Sequence, residues 1–148
     1  MIAIGCDHGG VELKDAVVRH LEEKGYTVND CGTYNKDSVH YPVYADKVCK
    51  EIQSGNSELG ILICSTGLGM SIAANKHKGC RASLCADTYS ARLTRMHNNS
   101  NILCMGALVT GSALAMDIVD QYIESEFEGG RHATRVDMFT ALEEVWKN

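Results

Sequence analysis

Proline occurs once in the 148 residues and phenylalanine twice. A single Pro42 leaves no room for a proline-rich linker or recognition segment. No apolar run approaches the ~20 residues a membrane span needs. The chain runs from Met1 to Gly5 straight into a strand-like segment, without the basic stretch and apolar core of a secretory leader. Positive charge is also short: 14 Lys and Arg face 19 Asp and Glu, for a net charge of -5. That balance excludes the global basic field that attracts nucleic acid or an anionic membrane, so neither is expected as a partner. An anionic ligand would need locally clustered cations. Seven cysteines are present, but none is spaced as CxxC and no Cys/His pattern matches a zinc site. An odd count without a framework points to free thiols and a reducing cytosol.

What is present is an ordinary globular composition, 45% hydrophobic and 22% charged. The length suits one domain over 1–148 with one sizeable core. Short apolar runs alternate with segments of helical period. Ile2-Ala3-Ile4 is a first strand; Leu13, Val17 and Leu21 then mark a helix face, with Gly25 at its C-terminal cap. Thr27 to Cys31 is a second strand. Pro42 suits the first turn of the next helix, whose stripe is Ala45, Val48, Cys49 and Ile52. Leu59 to Cys64 is apolar throughout, as a strand buried on both faces would be. A helix toward Lys76 follows, then a strand from Arg81 to Cys85 and a helix capped by Asp87 or Thr88 that ends near His97-Asn98-Asn99. Ile102 to Met105 is a fifth strand. Leu114, Ala115, Ile118, Val119, Tyr122 and Ile123 form the clearest helical stripe, and a last helix runs from Arg131 or Thr134 through Trp146. The alternation predicts an α/β fold: a three-layer α/β/α sandwich around a five-stranded parallel, Rossmann-like sheet. Ligands of such sheets sit beyond the carboxyl ends of the strands.

Two stretches sit at those ends. In Cys64-Ser65-Thr66-Gly67-Leu68-Gly69 a strand turns through small residues into a helix. Free backbone N–H groups and the helix dipole there could cradle an oxyanion or phosphate, although a plain tight turn also fits. The stretch lacks the Gly-Lys-Ser/Thr of a P-loop, and Gly5-Cys6-Asp7-His8-Gly9-Gly10 lacks the GxGxxG dinucleotide pattern. Cys64 stands just ahead of the turn, where a helix N-terminus favours thiolate, a nucleophile or general base; buried cysteine is also a common packing residue. Asp7-His8 could bind hydroxyls or move protons, or could serve as a helix cap beside a surface histidine. His97 at a helix C-terminus suits an imidazolium, or an ordinary polar helix end. Arg131 and Arg135 share a helix face and would repel unless aimed at one phosphate or left to solvent.

The order and spacing of these pieces resemble the sugar-phosphate isomerase family of type B ribose-5-phosphate isomerases and galactose-6-phosphate isomerase subunits. The matching stretches are Ile4-Gly5-Cys6-Asp7-His8-Gly9-Gly10, Cys64-Ser65-Thr66-Gly67-Leu68-Gly69, Ala91-Arg92-Leu93 with His97-Asn98, and Gly129-Gly130-Arg131-His132 with Arg135-Val136. The resemblance implies aldose–ketose isomerisation of ribose 5-phosphate and ribulose 5-phosphate through an enediolate. It implies no metal, no organic cofactor, and a homodimer, sometimes paired into a tetramer, with the active site between subunits. By matching position, Cys64 would be the base and Thr66 its support. Backbone N–H groups from Ser65 through Thr66, Gly67 and Leu68 to Gly69 would hold the developing oxyanion. His97 would open the sugar ring with Asp7 nearby, and His8, Tyr41, Asn98, Arg131 and Arg135 would bind the substrate, the arginines through its phosphate. Two departures stand out: Ser65 replaces the family's usual glycine, and Met96 stands where an acidic residue is common. Six-carbon phosphates of the allose or galactose type and free rare aldoses are the alternative substrates. A noncatalytic sugar-phosphate-binding accessory subunit is the alternative outside enzymes.

Overall fold

A computed structural model describes residues 1–145. Its strands are β1 (Ile2–Cys6), β2 (Val28–Asp30), β3 (Leu59–Cys64), β4 (Ala82–Leu84) and β5 (Ile102–Gly106). Its helices are α1 (Val11–Glu23), α2 (Tyr41–Gln53), α3 (Leu68–Ala74), α4 (Thr88–Asn98), α5 (Ser112–Glu124) and α6 (Arg131–Val145). Every strand pair is parallel, in the order β2-β1-β3-β5-β4, so the α/β sandwich expected from the sequence is the fold observed. Trp146, expected in the last helix, lies outside the described residues. Among those described, no helix is long and apolar enough to cross a membrane.

The period of two along each central strand divides the core. Ile61 and Ile63 of β3 face α1, α4 and α5 with Leu103 and Met105 of β5. Leu62 and Cys64 face α2 and α3 with Ile102 and Cys104. Both faces are therefore covered, as the continuous apolar run of β3 requires.

Local chemistry sets the helix ends. Gly25, at φ +89°, follows the end of α1, and its amide donates to Glu22 O while the Tyr26 amide donates to Leu21 O. That pair of bonds is the Schellman arrangement. Asp87 caps α4 by accepting from the Ser90 amide at 2.7 Å. Asn99, at φ 47°, ends that helix in the left-handed conformation. The strands read as Thr27 to Cys31 and Arg81 to Cys85 are each one residue shorter at both ends, and α3 stops at Ala74 rather than near Lys76. Asn75 pairs with Ala82 in both directions, its amide donating to Ala82 O and its Oδ1 accepting from Ala82 N, each at 2.9 Å. The residue is used to extend the edge of β4 instead of the helix.

Candidate active site

At the carboxyl edge of the sheet, the turns after β1 and β3 pack on each other. Asp7 is only 7% exposed, and its Oδ1 accepts from the Gly9 amide at 2.9 Å. A β-carbon on Gly9 would come within 2.7 Å of Ser65 Oγ, so glycine is what lets the Asp7 turn lie against the Cys64 loop. His8 Nδ1 accepts from the Val39 amide at 3.2 Å, which leaves Nε2 for a ligand. Tyr41, at the start of α2, lies over Gly69; a β-carbon there would stand 2.6 Å from the ring. Asp7, His8, Tyr41 and residues 64–69 thus come together as one patch, as the sequence led us to expect.

Within that patch Cys64 is the last residue of β3 and is 5% exposed. Its Sγ accepts from the Gly67 amide at 3.1 Å. Thr66 Oγ1 accepts from the Leu68 amide at 3.3 Å. Gly67 has φ +77°, a left-handed conformation that turns the chain into α3. Two of the five amides expected to face a ligand are therefore turned onto the loop's own side chains. Three of the other cysteines are sealed in the core. Burial pushes the Cys6 thiol up to about 12 and the Cys85 thiol up to about 11, and raises Cys104 further. These are neutral packing groups.

The second set of residues is elsewhere in the chain. Helix α4 begins above the carboxyl end of β4 and returns to the opposite edge before β5. His97 and Asn98 sit at that far end. Pairing in register runs from Gly60↔Ile102 to Cys64↔Gly106, so about 13 Å of strand separates the two edges. The 11 residues of α4 span a similar length, about 16 Å. His97 and Asn98 therefore do not reach Cys64 or Asp7 of their own chain. His97 instead stacks on His132, ring centroids 4.1 Å apart and planes 7° from parallel. Glu128 Oε2 stands 3.7 Å from His97 Nε2 and 3.3 Å from His132 Nε2. The Glu128 amide donates to Met96 O at 3.0 Å, which ties the start of α6 to the end of α4. Arg131 and Arg135 project from the first turns of α6, exposed, with no carboxylate among the described residues at ion-pair distance. Glu128 and the ring of His132 were not singled out from the sequence. The spacing of Glu128 and His132, four apart, is the signal that could have found them.

The chain therefore carries two clusters of polar groups at opposite edges of one sheet. One has a thiol, a carboxylate and a loop of amides; the other has imidazoles and two unpaired arginines. Comparison with known proteins finds similarity over nearly the whole chain. It is 48% identical over 143 residues to ribose-5-phosphate isomerase B of Escherichia coli strain K12, covering 97% of this chain and 96% of that one. Ribose-5-phosphate isomerase B of Clostridium thermocellum superposes with a TM-score of 0.97 at 49% identity, over 98% of each chain. The enzyme of Mycoplasma genitalium, solved with bound ribulose 5-phosphate, superposes with a TM-score of 0.92 at 38% identity, over 97% of this chain and 95% of that one. With residues 2–139 matched by the family described as Ribose/Galactose Isomerase, this chain belongs to that family.

Proposed function

We propose that this protein interconverts ribose 5-phosphate and ribulose 5-phosphate, as one isomerase domain whose active site is completed by a second copy of the chain. The observation that carries the reading is the placement of Cys64 at the head of a loop of amides that packs against the turn holding Asp7. A near-buried thiol there is positioned for proton transfer at carbon. Whole-chain similarity to ribose-5-phosphate isomerases B supports the substrate.

The reaction starts from the closed sugar. His97 gives a proton to the ring oxygen as the anomeric hydroxyl loses one. Cys64, as thiolate, then takes the proton from C2. Negative charge passes to the carbonyl oxygen at C1, where donors of the Ser65–Gly69 loop stabilise it. Stabilisation that exists only once the charge develops lowers the barrier without deepening the ground state. The proton held by Cys64 passes to C1, the proton of the O2 hydroxyl is transferred to O1, and the ketose results. Arg131 and Arg135 hold the phosphate, and that remote grip fixes C1 and C2 against the thiol. His8, Tyr41 and Asn98 bind the hydroxyls.

The half-sites of one chain lie at opposite edges, so the thiol of one copy meets His97 and the arginines of another. A two-fold dimer brings both pairs together at once. Exposed apolar side chains at the same ends, Leu68, Ile72 and Leu84 near the thiol loop and Met138, Phe139 and Leu142 on α6, offer the surface for it. The reading is tested by incubating ribose 5-phosphate with the protein in deuterated water and a metal chelator. Enzyme-dependent deuterium at the exchanging carbon, with ribulose 5-phosphate formed, is the expected result. A folded protein that exchanges nothing would sink the proposal.

A further inference from the structure

A pair of thiols sits where isomerisation has no use for it. Cys49 is on the inner face of α2, 0% exposed; Cys80 is in the turn between α3 and β4, 4% exposed. Cys80 Sγ stands 4.0 Å from Cys49 O, and the two thiols are within hydrogen-bonding reach of each other. They are 31 positions apart, so the contact joins chain on either side of β3 and the Cys64 loop. Cys49 is held by its helix. Cys80 belongs to a turn closed by its own amide on His77 O, next to Gly79 at φ +77°. Such a turn moves at less cost than a helix, so the Cys80 side supplies the adjustment that the narrow geometry of a disulfide demands. Cys80 is also on the wall of a cavity of about 360 Å³ between β4 and α6, beside Arg81, Ser83, Phe139 and Leu142. A molecule of water size takes roughly 30 Å³, so a peroxide has room to reach the sulfur.

Sulfur reacts with peroxide as thiolate. The hydrogen bond from Cys49 outweighs burial and, with the Arg81 guanidinium, holds the Cys80 thiol below its ordinary value; the same contact and burial raise Cys49. The pair is thus divided between an attacking sulfur and a protonated neighbour. We propose that Cys49 and Cys80 form an oxidation site that hydrogen peroxide converts to an intrachain disulfide, with Cys80 attacking first. The Cys80 thiol gives its proton to solvent. Its thiolate attacks one peroxide oxygen, the O–O bond breaks, and the departing hydroxide takes a proton to become water. Cys80 is then a sulfenic acid. Its negative charge is gone, and with it the repulsion that kept Cys49 protonated. The Cys49 sulfur attacks the Cys80 sulfur: the S–S bond forms, the S–O bond breaks, and the hydroxyl leaves with the Cys49 proton as a second water. Two electrons pass from the sulfurs to the peroxide.

The test treats the folded, assembled protein with hydrogen peroxide and removes the excess with catalase. The chain is then unfolded in urea with N-ethylmaleimide present, and its tryptic peptides are mapped by mass spectrometry without reductant. The expected product is Val48-Cys49-Lys50 joined to Gly79-Cys80-Arg81, lighter by two hydrogens than the separate peptides and released by dithiothreitol. Recovery of Cys49 with maleimide attached overturns the disulfide, whatever becomes of Cys64. A link found only in chains of doubled mass on a denaturing gel overturns its intrachain character. This arm needs no substitution, so it stands even if a variant folds poorly. The order of attack is read from two variants treated with peroxide and dimedone, a trap for sulfenic acid. Cys49→Ser should carry dimedone on Cys80, and Cys80→Ser should keep Cys49 as a free thiol. Dimedone on Cys49 in the second chain, with none on Cys80 in the first, overturns that order. Every readout is a mass, so the outcome is independent of the isomerase reading.

Discussion

Cys64 shares the chain with six other thiols, and position alone sets it apart. Cys6, Cys85 and Cys104 are sealed in the core and raised by burial. Cys64 ends its strand under a loop amide, with a glycine-rich turn beyond it. Removing a positioned general base costs about 10²–10⁴ in rate. Cys64→Ala should therefore lose turnover on that scale, while circular dichroism and oligomeric state stay as in the wild type. Near-normal turnover would show that the proton moves by another group. Arg135→Ala should raise KM for ribose 5-phosphate far more than for free ribose; equal losses on both sugars would remove its phosphate role. Cys64 was legible in the sequence because a strand, a turn and a helix announce its place. The partnership of His97 with Glu128 and His132 was not. It depends on α6 folding back onto the end of α4, a tertiary contact that local pattern does not encode.

Elements carry the stability of the half-sites. Helices α1 and α5 are clamped by Asp120, whose Oδ1 lies 2.7 Å from His20 Nε2 and whose Oδ2 lies 2.8 Å from Lys24 Nζ. Partial burial works against the Asp120 carboxylate, but hydrogen bonds from Lys24 and His20 outweigh it and hold its pKa below the ordinary value. The folded form thus binds its proton less readily than the unfolded chain. The resulting stability is full above the ordinary carboxylate range and is lost as pH falls through the folded value. Urea midpoints followed from pH 6 to about pH 3 should fall more steeply for the wild type than for Asp120→Asn; parallel curves would show the clamp is idle. On the other side of α1, the Lys14 ammonium is fully buried against Asp30 of β2, with Asp15 at 3.2 Å. Asp30→Ala should cost about 3 kcal/mol by leaving that buried charge only the half-exposed Asp15 as a partner. Adding Lys14→Met should restore part of it, because the poorly paired buried ammonium is then gone. No restoration in urea unfolding would mean that Asp30 acts through its bond to the Gly32 amide. Elements were the most legible scale. β3 spans Leu59–Cys64 as read, because its apolar run is bounded by polar and small residues. Only the end of α3, where Asn75 turns to Ala82, was set by a contact out of the sequence's reach.

For the whole molecule, one rule of parallel sheets separates the two clusters. A helix that joins two parallel strands must carry the chain back to the starting edge. Any residue at the end of α4 is then far from any residue at the end of β3, whatever their roles. The strand alternation was readable, and this separation follows from it. The strand order β2-β1-β3-β5-β4 was not, since crossovers leave no local mark. The consequence is testable by mixing inactive chains. Cys64→Ala supplies a good His97 half-site, and His97→Ala supplies a good Cys64 half-site. In a two-fold dimer of one of each, one site carries both lesions and the other carries none. Random exchange at equal amounts makes about half of the dimers mixed, each with one intact site of two, so roughly one quarter of wild-type turnover should return. The homodimers of either variant should stay near their residual rates. Activity that never exceeds the average of the two variants, in a mixture shown by mass spectrometry to contain hybrids, would place the whole site within one chain and would require the fold to bring His97 to Cys64 by a movement of α4.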